Sequence, residues 1–197
     1  LKNPAVDVAI IGQGEKTICE LASALKEGVG LGSIQGIAYK KDGNIVRNSG
    51  RAFCDLNDLA PIDFDMFDIN RYISRGPLGE SSIFWNSSQG CPYCCGFCST
   101  PTVYNRRWSG LSAGVLLGQL EHLVRAYSVN GVTFAEDNFF VDVKRIERFC
   151  RGLIDKGLGV KWAADVRVDQ VNRFSEGFLN MLKESGCSKL YVGAESG

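Results

Sequence analysis

The chain has 197 residues, 45% of them hydrophobic, enough to bury the core of one domain or a small pair. Its 22 basic residues balance 22 acidic ones, which leaves no electrostatic footprint for nucleic acid or an anionic membrane. No apolar run approaches the roughly 18 residues that cross a bilayer, the start is not a signal peptide, and the eight cysteines form no disulfide framework, so the expected setting is the reducing cytoplasm.

The chain opens with Leu1, not methionine, and stops directly after a strand-like run, so it reads as a piece of a longer protein. Val6-Asp7-Val8-Ala9-Ile10-Ile11 suits a short buried strand. Gly12-Gln13-Gly14-Glu15 follows as a turn, then a helical pattern to about Lys26. A dinucleotide fingerprint would need a third glycine, and Thr17 occupies that place. Residues 36–40 and 44–47 flank Lys41-Asp42-Gly43, and Asp-Gly is a strong hairpin signal. From Asn48 to Glu80, acidic residues with Pro61 and Pro77 break any periodicity, while Phe64, Met66, Phe67 and Tyr72 offer occasional apolar anchors. That stretch reads as a linker lying along a surface.

After the β-prone Ile83-Phe84-Trp85-Asn86-Ser87-Ser88 comes Cys91-Pro92-Tyr93-Cys94-Cys95-Gly96-Phe97-Cys98, with the spacing Cys-x3-Cys-x2-Cys. Soft thiolates suit both zinc and iron-sulfur clusters. Four-cysteine zinc sites usually set their two pairs a dozen or more residues apart so that the pairs converge from different directions, and here Cys91-x2-Cys94 and Cys95-x2-Cys98 abut. Three close thiolates can instead hold three irons of a 4Fe-4S cluster and leave the fourth open.

From there strand and helix alternate. Leu116, Leu120, Leu123, Val124 and Tyr127 share a helical face after a Ser112 cap, and Asn130-Gly131 is expected to end that helix. A strand at 132–135 precedes a helix from an Asp142 cap to Gly157, then a strand at 160–164. A helix from Ser175 to near Gly186 leads to a strand at 189–192. Four strands alternating with three helices predict parallel βα units curling into part of a barrel, with ligands at the carboxyl ends of the strands. His122, mid-helix, reads as packed or solvated, and Trp85 and Trp162 as strand packing. Glu136-Asp137-Asn138 reads equally well as capping carboxylates of a loop, and Arg167 as a structural pair with Asp165 or Asp169.

At Cys91, Cys95 and Cys98, with the aromatic Phe97 before the last cysteine, the loop resembles the signature of the radical S-adenosylmethionine (radical SAM) superfamily. The words Ser88-Gln89-Gly90-Cys91-Pro92-Tyr93 and Phe97-Cys98-Ser99-Thr100-Pro101 resemble its branch that carries a cobalamin-binding domain. The resemblance implies an α/β fold, a partial TIM-like (β/α) barrel preceded by the tail of a Rossmann-like cobalamin-binding domain. Residues 1–33 would end that domain, 34–80 would be hairpin and linker, and 81–197 the radical core, truncated after about its fourth strand.

It also implies that Cys91, Cys95 and Cys98 ligate the cluster while the open iron chelates SAM, leaving Cys94 as an extra thiol. Glu136 or Asp137 would meet the SAM amino group, and Arg167 the SAM carboxylate or a substrate acid. Glu195 and Ser196, in Gly193-Ala194-Glu195-Ser196-Gly197, would reach the SAM ribose or methionine portion. The activity implied is reductive cleavage of SAM to a 5′-deoxyadenosyl radical that takes hydrogen from a small-molecule substrate. Cobalamin in the full-length protein would add methyl transfer, and oxidative cyclisation is a further outcome of this branch. The partner would be an electron donor such as flavodoxin or ferredoxin. The alternatives are a radical SAM methylthiotransferase and a non-catalytic iron-sulfur or zinc module.

Overall fold

Strand β1 (Val8–Ile10) runs into helix α1 (Glu15–Glu27) as the pattern predicts. The computed structural model describes residues 1–193. Thr17, Leu21 and Ala24, spaced four and three apart, make the buried face of α1, and Gly28 closes the helix in the left-handed region at φ 69°. β2 (Ile37–Lys41) and β3 (Asn44–Arg47) form the expected hairpin. Asp42 and Gly43 both take positive φ, 49° and 79°, the turn whose twist matches the strands it joins. β1 pairs antiparallel with β2, and the small core of this sheet is Leu21, Ala24, Ile34, Ile37 and Tyr39.

The stretch 48–80 carries more structure than its broken periodicity predicts. It makes short 3-10 turns at Leu56–Asp58, Phe64–Met66 and Ile69–Tyr72. It then enters β4 (Ser74–Gly76), which pairs antiparallel with β5 (Gly79–Trp85). Leu56, Ile69 and Leu78 are buried there. These anchors are too few and too irregularly spaced to register as a period.

β6 (Ser88–Gly90) leads into the cysteine loop. The chain leaves it through the short helix α2 (Thr100–Tyr104) and returns along β7 (Trp108–Gly110), which pairs antiparallel with β6. The alternating half follows: α3 (Ala113–Tyr127), β8 (Gly131–Phe134), α4 (Val143–Lys156), β9 (Lys161–Arg167), the one-turn α5 (Val168–Val171), α6 (Glu176–Glu184) and β10 (Cys187–Gly193). β5, β8, β9 and β10 lie side by side and parallel, with Trp85, Phe134, Ala164 and Leu190 in register and β4 as an antiparallel edge.

The expected caps hold their helices. Ser112 Oγ accepts from Val115 N (3.3 Å), Asp142 Oδ1 from Arg145 N (3.0 Å) and Ser175 Oγ from Phe178 N (3.2 Å). Each such cap contributes about 1 kcal/mol. α3 stops earlier than expected, at Tyr127, because Ser128 turns left-handed (φ 54°) and its N–H returns to Leu123 O. Gly131 belongs to β8 instead, where a Cβ would collide with Ser82 Oγ.

Between the parallel sheet and its helices lies an aromatic core. Phe134 stacks on Phe139 (centroids 4.4 Å apart) and meets Phe149 and Trp162 edge-on, and all four are fully buried. His122 packs between Phe64 and Tyr127, and Trp85 stacks on Phe64 and donates to Gln119 Oε1 (3.1 Å).

Candidate functional site

The carboxyl ends of the parallel strands open on one side, and the cysteine loop stands over them. The β6–β7 ribbon closes its neck. Gly90 sits there with φ 78°, and a Cβ would run into Arg107 O, so glycine is needed on both counts immediately before Cys91. Two neighbouring segments pin the neck. Ser109 Oγ accepts from Leu56 N (2.9 Å) and donates to Asp55 Oδ1 (3.0 Å). The Gly-x-Gly-Glu turn adds Gln13, whose Nε2 donates to Gln89 Oε1 (3.0 Å) and whose Oε1 accepts from Cys54 N (2.6 Å). Gln89 Nε2 in turn donates to Glu15.

All four loop cysteines are free thiols. Cys91 and Cys95 are half-buried; Cys94 and Cys98 are exposed. Burial first, then Asp137, Cys95 and Cys98, push the Cys91 thiol above its usual pKa, against a Tyr93 backbone hydrogen bond that lowers it. Negative charge on Cys95 or Cys98 thus disfavours the Cys91 thiolate, a crowding that a cationic iron core would relieve. Cys94 is not among the groups acting on Cys91. Among the described residues no three His, Cys, Asp or Glu side chains are close enough to share one metal ion. A multi-iron cluster is wide and keeps its thiolates further apart than a single ion does. The donor set, three soft thiols on one loop, suits such a cluster.

Glu136 and Asp137, neighbours after β8, go to different places. Glu136 is 7% exposed and turned under the loop, accepting from Ser87 N (2.5 Å), Ser87 Oγ and Ser88 Oγ. Arg145, 2% exposed, completes that floor. Its Nε donates to Leu111 O (2.6 Å) and its Nη2 to Ser87 O (3.1 Å) and Ser87 Oγ, while its guanidinium lies 5.6 Å from the Phe139 centroid and 5.9 Å from that of Trp108. Burial lowers the Arg145 pKa, and Glu136 and Asp142 oppose that. Asp137 is exposed at the mouth, with Thr100 Oγ1 donating to its Oδ1 (2.8 Å).

Arg167, at the carboxyl end of β9, donates from Nε to Asp169 Oδ1 (2.9 Å) and from Nη1 to Cys95 Sγ (3.1 Å), with its guanidinium 4.0 Å from the Tyr93 ring centroid. Phe97 is brought to the loop but stands 71% exposed. Glu195 and Ser196 lie outside the described residues.

No protein-family model matches the chain. It is 32% identical over 195 residues, 98% of its length, to an uncharacterized methyltransferase of Pyrococcus horikoshii. It is 23% identical over 99% of its length to the anaerobic magnesium-protoporphyrin IX monomethyl ester cyclase of Synechocystis. The chain spans about two fifths of these relatives, 41% and 38% of their lengths. A radical S-adenosylmethionine methyltransferase from Kitasatospora setae, solved with cobalamin and a [4Fe-4S] cluster bound, superimposes on 95% of the chain with a TM-score of 0.70 at 19% identity, and 38% of that protein is covered. The chain shares the fold of this radical SAM enzyme.

Its fold is the partial α/β barrel of the cobalamin-associated radical SAM branch. Within this radical SAM fold the sequence pattern hid several residues. Arg145 reads as a charged residue of an amphipathic helix, yet its spacing of four and eight from Phe149 and Leu153 puts it on the buried face of α4. That spacing was the available signal. Ser87, Thr100, Gln89 and Gln170 carry no local signal, because their partners lie 30 or more residues away. No helix is long and apolar enough to cross a membrane among the described residues.

Proposed function

We propose that this chain is the cluster- and SAM-binding part of a radical SAM enzyme acting on a small molecule. The observation that carries the reading is the set of Cys91, Cys95 and Cys98 on one loop at the carboxyl ends of parallel strands, with Arg167 from the end of β9 donating to Cys95 Sγ. A bound 4Fe-4S cluster would supply one electron for reductive cleavage of SAM, yielding a 5′-deoxyadenosyl radical.

The chain's own residues hold and shield that chemistry. Cys91, Cys95 and Cys98 ligate. The Glu136–Ser87–Arg145 floor fixes the height of the loop over the sheet. Asp137 is the carboxylate for the SAM amino group, since Thr100 orients one of its oxygens at the mouth while Glu136 is fully engaged below. Glu195 and Ser196, by the resemblance of their turn, complete the SAM site, and Phe97 covers the cluster from outside.

Residues 1–33 form, on this reading, the end of a cobalamin-binding domain. The Gly12–Glu15 turn bonded to Gln89 would set cobalamin's domain against the cluster loop. Methyl transfer and ring formation, the activities in the names of the two curated relatives, are then the two outcomes in view. An electron donor such as flavodoxin or ferredoxin would supply the electron, and the reducing cytoplasm is the compartment such a cluster asks for.

The test is anaerobic reconstitution of the full-length protein with iron and sulfide, followed by EPR of the reduced sample with and without SAM. The expected result is about four irons and a spectrum that changes with SAM. A spectrum indifferent to SAM, or one tightly bound zinc and no cluster, overturns the proposal.

A further inference from the structure

Arg167 has the planar fork that grips a carboxylate, and its guanidinium is already committed in three directions. Nε is on Asp169 at 2.9 Å, Nη1 is on Cys95 Sγ at 3.1 Å, and its face is on the Tyr93 ring at 4.0 Å. The arrangement is built, not incidental. Arg167 is the last residue of β9 and, in extended conformation (φ −77°, ψ 142°), the N-cap of α5, so the strand-to-helix switch aims its side chain at the loop. Tyr93 is itself held: its hydroxyl accepts from Gln170 Nε2 (3.3 Å), which also donates to Phe140 O (3.0 Å), and Gln170 is 8% exposed. A line of contacts thus runs from the aromatic core through Gln170 and Tyr93 to Arg167 and ends on one sulfur, that of Cys95.

Such a contact has a direct electrostatic consequence. Reduction potentials of iron-sulfur clusters respond to net charge, to hydrogen bonds on the sulfurs and to exposure. The reduced form carries one more negative charge, so a fixed cation donating to a ligating thiolate favours it. Asp169, bonded to the opposite side of the same guanidinium, offsets part of that charge.

We infer that Arg167 is a positioning residue that orients Cys95 and raises the potential of the cluster, with Asp169 as the counterweight that limits the effect. The inference rests on the cluster reading above. The couple takes one electron from an external reductant, and no bond in the protein forms or breaks.

The experiment is a redox titration of the reconstituted full-length protein with titanium(III) citrate, monitored by EPR in the absence of SAM. Wild type is compared with Arg167→Met, Arg167→Lys and Asp169→Asn, and iron and sulfide are counted in each. Arg167→Met is expected to lower the reduced-to-oxidised ratio at fixed potential at least tenfold, about 59 mV for one electron. Arg167→Lys keeps the charge without the planar fork and is expected between the two. Asp169→Asn is expected to move the midpoint the other way, to more positive values.

A cluster-loaded Arg167→Met with an unmoved midpoint overturns the inference, and so does the same variant when only its SAM dependence weakens. Should Arg167→Met fail to load, Asp169→Asn decides: a midpoint unmoved or more negative overturns it. A wild-type protein that takes up no cluster would instead strike down the cluster reading itself.

Discussion

Four cysteines crowd the loop above β6, and one more, Cys150 on α4, lies behind the parallel sheet. The loop thiols are exposed or half-buried. The hydrogen bonds that close turns around them are few, chiefly Cys98 N to Cys95 O (3.1 Å) and Thr102 N to Ser99 O (2.9 Å). Behind the sheet the conditions reverse. Cys150 is fully buried among Phe149, Leu153 and Trp162, and burial pushes its thiol up to about 11. Thiols of that kind are inert packing; thiols like those of the loop are available as ligands. The floor of Glu136, Ser87 and Arg145 divides the two regions, and it is the protein's own means of holding the loop before any cofactor arrives. Glu136 and Ser87 are satisfied within it, while Arg145 Nη1 is buried there without a hydrogen-bond partner.

The sharpest way to break that division is to remove the cation of the floor. Arg145→Met leaves Glu136 buried and removes the donors to Ser87 O, Ser87 Oγ and Leu111 O. Truncating one partner of a buried charged network costs about 3–5 kcal/mol, and urea denaturation of the cluster-free protein is expected to show a loss of that size. A loss under about 1 kcal/mol would mean that the floor is not what supports the neck.

A second test lies on the far side of the sheet. Because the Cys150 thiol is pushed up to about 11 from an ordinary 9.0, its neutral form is the one the fold accommodates. Its contribution to stability is complete below pH 9 and is lost as pH rises through about 11, about 2.8 kcal/mol at about 1.4 kcal/mol per unit. Denaturation of wild type and Cys150→Ala at pH 8 and pH 11 isolates this part, since tyrosines and lysines titrate alike in both. The alkaline loss is expected to be larger in wild type. Equal losses would show that burial of this thiol does not tie stability to pH.

What could be read in advance follows the same division. Helices α3, α4 and α6, the Asp42-Gly43 hairpin and the parallel strands announce themselves because each is set by neighbours within a few residues: a cap, a repeat of 3.6, a turn pair. The spacing of Cys91, Cys95 and Cys98 is local in the same sense. The β6–β7 ribbon, the β4 edge and the Glu136–Ser87 contact are not. Ser87 and Glu136 are 49 residues apart, and nothing beside either marks which of Glu136 and Asp137 turns inward. Arg167 shows the cost of reading locally. Its bond to Asp169 is two residues away and was legible as a structural pair, whereas its bond to Cys95 spans 72 residues and changes what the side chain is for.

The smallest expected effect concerns Cys94, and it separates stability from ligation within the loop. Cys94 and Cys98 are both exposed, and no packing explains either thiol, so Cys94→Ser and Cys98→Ser should each change the stability of the cluster-free protein by less than about 0.5 kcal/mol. The two should part when iron is counted. Cys91 senses Cys98 as a charge, and Cys94 is absent from the groups acting on it. Reconstituted Cys94→Ser is therefore expected to keep the wild-type iron and sulfide content, and Cys98→Ser to lose most of both. If instead Cys94→Ser and Cys98→Ser both lose the cluster, ligation follows the two abutting Cys-x2-Cys pairs and not the three spaced thiols. The loop would then bind by a different set of sulfurs at no measurable difference in folding energy, since nothing in the packing of this region chooses between them.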